Sequence, residues 1–145
     1  MSEQTTDKLN RILADATVFY QKLRHYHWNV SGPRFFQYHE LFEKLYTGWA
    51  DAIDEIAERI LQRGGTPLHT LAEMLTGATI TEDAEIPAGE TMLARTMADL
   101  ETLHGKMRDA AESAEQAGDR VTTGLLDSLG AETEKTLWML RASLA

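Results

Sequence analysis

Apolar residues recur three and four positions apart through most of this chain, and the pattern lapses only where Gly and Pro cluster. That period is the signature of amphipathic α-helix, and it excludes a sheet protein, whose strands alternate with period two. The first run is Leu9, Ile12, Leu13, Ala16, Phe19, Tyr20, Leu23, His27 and Val30, ending at Ser31-Gly32-Pro33. Gly suits a helix C-terminus and Pro cannot continue the ladder. The second run carries Phe35 or Phe36, His39, Phe42, Leu45, Trp49, Ile53, Ile56 and Ile60, and stops at Gly64-Gly65-Thr66-Pro67. Residues 66 to 89 mix Thr, Gly, Pro and charge around Leu68, Leu71, Met74 and Leu75, which reads as a long crossover holding one short helix. A third helix is expected from Ala88 or Gly89 to about Ala117, and a fourth after Gly118, capped by Asp119. Two helical hairpins joined by one long crossover make an all-α, ferritin-like four-helix bundle.

At 145 residues, with 43% apolar and 26% charged residues and only 3 Pro, the chain has the composition of one folded domain spanning residues 1–145. It has no cysteine, which removes disulfides, thiolate metal sites and a cysteine nucleophile. Residues 1 to 10 lack a secretion signal and no stretch is long and apolar enough for a membrane span, so a soluble, cytoplasmic protein is expected. The formal charge of −9 opposes non-specific nucleic-acid binding, which depends on Lys and Arg neutralising phosphates, and suits attraction of cations.

The residues with the most chemistry lie between His27 and Glu58. His27, His39, Asp54 and Glu58 are a ligand set suited to iron, manganese or zinc. His39 and Asp54 stand fifteen positions apart on one helix, a separation of roughly 22 Å at 1.5 Å per residue. One ion cannot touch both within one chain, since ligand bonds are near 2 Å. His27 and His39 each lie six residues from Pro33, so the antiparallel return puts them at one level, several turns from the carboxylates. On a helical wheel His39, Glu43, Asp54 and Glu58 share a sector of roughly 100°. Two copies packed about a two-fold axis, with second helices antiparallel, would bring the histidines of one opposite the acids of the other. A metal site shared between subunits is therefore expected. The intrachain alternative, a carboxylate-bridged bundle core, needs two Glu-x-x-His pairs and a Glu from each remaining helix. Only Glu101 and His104 form such a pair, and the first helix has no Glu between Asp7 and Val30.

Plainer readings stay open on these residues alone. A lone histidine beside an apolar stripe is more often a hydrogen-bonded core residue than a ligand. Asp54 and Glu58 fit a solvated acidic face, with Arg59 near enough to pair with one of them. Trp28, Trp49 and Trp138 read as core or interface residues, Trp28 also as an electron donor beside a candidate ligand; His25 and His69 read as surface residues without partners.

The segment His27-Trp28-Asn29 leading to Gly32, with Phe36, His39, Phe42 and Tyr46, and then Asp54 and Ala57-Glu58-Arg59-Ile60, closely resembles the Dps family of mini-ferritins. The likeness runs on to Trp138-Met139-Leu140-Arg141-Ala142 and so covers almost the whole chain. It implies a homo-oligomer, a hollow dodecamer, with ferroxidase sites at two-fold interfaces. His27 and His39 would come from one subunit and Asp54 and Glu58 from its neighbour, holding at most two irons per site. The implied activity oxidises Fe(II) to Fe(III), typically with hydrogen peroxide, and stores the ferric product as mineral. His27, Asp54 and Glu58 would be the catalytic ligands, with Glu58 bridging and His39 serving the weaker second iron or a water on it.

This sequence departs from the family pattern in places. Family members often place His-x-Trp late in the last helix, where Thr136 precedes Leu137-Trp138 here, and a commonly acidic position is Gly124. Asp119 and Asp127 remain as candidates for lining an iron-access pore, and Glu43 stands where several relatives have Asp. The DNA-compacting function in the family name is the alternative reading. It needs a Lys- or Arg-rich tail, whereas residues 1 to 10 offer only Lys8 and the chain after Trp138 only Arg141.

Overall fold

The structure is a computed structural model, and it describes residues 2–145. Its elements are α1 (Glu3–Asn29), α2 (Phe35–Gln62), α3 (Leu71–Gly77), α4 (Gly89–Gln116) and α5 (Arg120–Leu144). The breaks fall where Gly and Pro put them, and Gly32, Gly64 and Gly118 all have positive φ, which glycine adopts without strain. The first helix begins earlier than its apolar pattern, at Glu3, where the Ser2 hydroxyl accepts from the Thr5 amide. The core stripe of that first turn is occupied by buried Thr5, a residue that adds nothing to a hydrophobic period.

Helix α1 packs along α2 and α4, α4 packs along α5, and α3 leans on α1. The core is built from their facing stripes, with Leu9, Phe19 and Leu23 of α1 meeting Phe42 and Ile56 of α2 and Leu100 of α4. Trp49 is buried edge-on against Phe19, with ring centroids 5.5 Å apart. Trp28 and Trp138 are 56% and 61% exposed, so of the two meanings expected for them the core one is wrong within a single chain.

Polar side chains of α1 hold the crossover in place. Asn10 accepts from the Leu68 amide at 2.9 Å and donates to the Thr66 carbonyl. Buried Asp15 accepts from the Thr79 and Ile80 amides, at 2.6 and 2.8 Å, and is neutralised by Lys106 of α4. The Tyr26 hydroxyl donates to Asp83 at 2.5 Å, and Arg95 pairs with the same carboxylate at 2.9 Å. Burial alone would raise the Asp83 pKa, but these hydrogen bonds outweigh it and bring it down to about 2. His25 joins the set, donating from Nε2 to the Glu85 carbonyl at 2.7 Å while Nδ1 accepts from Asn29. It is a crossover anchor, not the unpartnered surface residue its sequence context suggests.

At the far pole, Asp119 caps α5 by accepting from the Thr122 amide at 3.1 Å, as the sequence predicts. It also receives Arg59 at 3.0 Å and the fully buried guanidinium of Arg63. Burial would raise its pKa, yet Thr122 and the two guanidiniums hold it below the ordinary value. An aspartate engaged in this way, with a side chain only 10% exposed, is a structural node. Its carboxylate is already satisfied within one chain, whereas Asp127 is exposed.

Candidate metal centre

His27 closes the last turn of α1 and His39 sits in the second turn of α2, on either side of the Gly32-Pro33 bend. Their rings stack with centroids 3.8 Å apart and planes 12° from parallel. Each Nδ1 lies 2.7 Å from the other residue's backbone carbonyl. A carbonyl only accepts, so both Nδ1 atoms carry the proton. Two consequences follow from this reciprocal bond. With the proton placed on Nδ1, the nitrogen left to face a metal on each ring is Nε2, which has no partner among the described residues of the chain. Moreover, the His27 carbonyl falls in the last turn of α1, where it has no partner within the helix, so the His39 ring satisfies an otherwise orphaned acceptor.

The two rings belong to a longer aromatic column. Phe35, the first residue of α2, stacks on the outer face of His39 at 4.9 Å and 21°. On the other side Tyr46 stands edge-on to His27 at 5.3 Å and edge-on to Tyr20 at 5.9 Å. His27 is 8% exposed and His39 half-buried. Of the two phenylalanines the sequence left undecided, Phe35 packs and Phe36 is 78% exposed.

Asp54 and Glu58 lie one turn apart near the other end of α2, both exposed. The charge of Asp54, then a hydrogen bond to it, slight burial and the charge of Glu55 push the Glu58 carboxyl above its ordinary pKa. No cation relieves this pair among the described residues. Arg59, the obvious candidate, turns instead to Asp119 and to the Thr122 hydroxyl at 2.9 Å. Glu43 is exposed between the two pairs.

Among the described residues, no three of His, Asp and Glu come together within one chain. The structure thus unites His27 with His39 and Asp54 with Glu58, and keeps the two pairs apart, as the rise of a straight helix demands. Elsewhere His104 pairs with Glu134 across α4 and α5 at 2.9 Å, and Glu101 is exposed, so neither builds a bundle-core site. Arg24 lies over the rings of both Trp28 and Tyr20, 5.0 and 5.4 Å from their centroids.

The family model of the ferritin-like domain matches residues 6–145. Over 144 residues, 99% of each chain, this protein is 43% identical to DNA protection during starvation protein 2 of Bacillus anthracis. The chain belongs to the Dps family, within the ferritin-like fold. Its backbone superposes with a TM-score of 0.95 on a Dps protein from Bacillus brevis, 40% identical with all of both chains covered. The DPS protein of Vibrio cholerae O1, described as a member of a broad superfamily of ferritin-like diiron-carboxylate proteins, gives 0.97 at 36% identity, with 99% of this chain and 90% of that one covered. No helix among the described residues is long and apolar enough to cross a membrane.

Proposed function

We propose that this Dps-family protein oxidises Fe(II) at sites shared between two copies of the chain and stores the ferric product inside a closed shell of such copies, a dodecamer by family likeness. The observation that carries this reading is the reciprocal histidine lock. It fixes the planes of two imidazoles and leaves their Nε2 atoms free at one end of α2, while an uncompensated carboxylate pair waits at the other end of the same helix. Each half is incomplete alone, and two-fold pairing supplies to each what it lacks.

Iron is the substrate here. His27, Asp54 and Glu58 hold the tighter position, Glu58 bridges to the second, and His39 serves that second iron directly or through a water. Carboxylate oxygens favour Fe(III) and neutral imidazole admits Fe(II), so the mixed set suits oxidation in place. With hydrogen peroxide as oxidant, two Fe(II) give up one electron each, the O–O bond breaks, and two protons complete two waters. A two-electron reduction of this kind releases no hydroxyl radical, and this gives the protection against oxidative damage. DNA protection in the relatives' names is therefore read here as chemical rather than as DNA binding. Lys8, the cation of the first ten residues, is engaged with Asp109 at 2.9 Å and with Ser113.

The test is complementation. Shells of His27→Ala or of Glu58→Ala alone are expected to lose Fe(II) oxidation and the stoichiometry of two Fe(II) per peroxide. Random co-assembly of equal amounts of the two variants regenerates intact sites at about one interface position in four, because each site draws its histidines from one chain and its acids from another. A site built within one chain gives no recovery on mixing, and that result sinks the shared-site reading.

A further inference from the structure

We propose that Phe35 is a positioning residue for the histidine half of the site: it reaches the metal only through the orientation of His39. The inference rests on the shared-site reading for its metal readout, and on geometry alone for the rest.

His39 is the less protected of the two imidazoles. His27 is buried and boxed between the His39 face and the Tyr46 edge, whereas His39 is half-buried and keeps one face on His27. Its other face is covered by Phe35, 4.9 Å away and 21° from parallel. Phe35 and His39 are one helical turn apart, the spacing at which side chains on a helix meet. The Phe35 backbone is itself held by the bend, its amide donating to the Gly32 carbonyl at 3.1 Å. The ring that covers His39 is thus anchored independently of it. A flat aromatic clamps the imidazole plane, and with it the direction of the Nε2 lone pair; an aliphatic side chain of similar bulk fills space without fixing a plane. Supporting residues that orient a metal-binding histidine typically carry ten- to a hundredfold of metal affinity. Phe36 beside it makes no such contact with a histidine and serves as the control.

The experiment compares intact shells of wild type, Phe35→Leu, Phe35→Tyr and Phe36→Leu. In metal-free protein labelled with 15N-histidine, wild-type His39 is expected as a single tautomer protonated at Nδ1, whereas in Phe35→Leu the unclamped ring turns away from the His27 carbonyl, loses that bond and averages over both tautomers, with His27 unchanged. Titration with Co(II), read by its visible absorption, is expected to show the weaker of two binding steps reduced about tenfold or more in Phe35→Leu, with the tighter step little changed. Phe35→Tyr restores both readouts and Phe36→Leu matches wild type. The proposal is overturned if Phe35→Leu keeps a single His39 tautomer, if both binding steps fall together, or if Phe35→Tyr behaves as Phe35→Leu does. Should the Leu variant not assemble, Phe35→Met carries the same comparison. Failure of wild-type protein to bind Co(II) at these sites sinks the shared-site reading instead, while the tautomer comparison still decides the role of Phe35.

Discussion

The two ends of α2 hold the two halves of one proposed site in opposite states. At the histidine end every polar atom but Nε2 is already engaged: Nδ1 protons are given to carbonyls, ring faces are stacked, and the lock also completes the terminus of α1. At the acidic end the two carboxyls meet only each other, and the nearest guanidinium has been drawn away to Asp119. The contrast teaches that the halves reach readiness differently. One is prepared by the fold of its own chain, with its ordering cost already met; the other is held under repulsion that only a cation or a proton relieves.

The largest expected effect tests how far the rigidity of the histidine end extends. Tyr38, next to His39, lies so close over Gly89 that a Cβ there would fall 2.5 Å from its ring. Gly89→Ala forces Tyr38 or the start of α4 to move, at about 1–3 kcal/mol. Chemical denaturation of the metal-free protein is expected to show that loss, with weakened metal binding beside it; unchanged stability would mean that this end is not rigid. Next, His39→Ala removes a hydrogen bond to an orphaned carbonyl, about 1 kcal/mol, and a stacked pair worth roughly as much. The same measurement on Asp54→Ala is expected to show no loss, and equal losses at the two ends would erase the contrast. The smallest effect concerns pH. Because the Glu58 pKa is raised by folding, the stability that its proton contributes is present below the ordinary Glu range and disappears as pH climbs through the raised value. In metal-free protein Glu58→Gln is therefore expected to melt slightly above wild type at neutral pH, with the gap closing in acid; a gap that does not change with pH contradicts the repulsion.

Much of the fold was legible because its signals are local. A three-four period and a Gly or Pro at each break locate the four long helices, the short helix in the crossover and the Asp119 cap, though not the early start of α1 at Glu3. Pairing His27 with His39 needed only their equal distance from Pro33. What stayed hidden depends on where carbonyls and distant side chains fall. Nothing in the letters shows that His39 reaches the His27 carbonyl, or that Phe35 and not Phe36 covers it. Arg59 sits beside Glu58 in sequence, yet its partner Asp119 is sixty positions on. Nor do the letters show that Asn10, Asp15 and Tyr26 meet the crossover, whose residues lie more than fifty positions away. Likewise, exposed Trp28 and Trp138 fit a helical period equally well whether they face a core or a neighbouring subunit.

Those crossover hooks carry a consequence for motion. Several amides between residues 66 and 85 are held by side chains rooted in α1, not by a backbone ladder of their own. Their shielding from solvent hydrogen exchange therefore depends on α1 staying folded, and the Leu68, Thr79 and Ile80 amides are expected to exchange at the rate at which that helix opens. A segment with the outline of a loose strap thus has the lifetime of the helix beneath it.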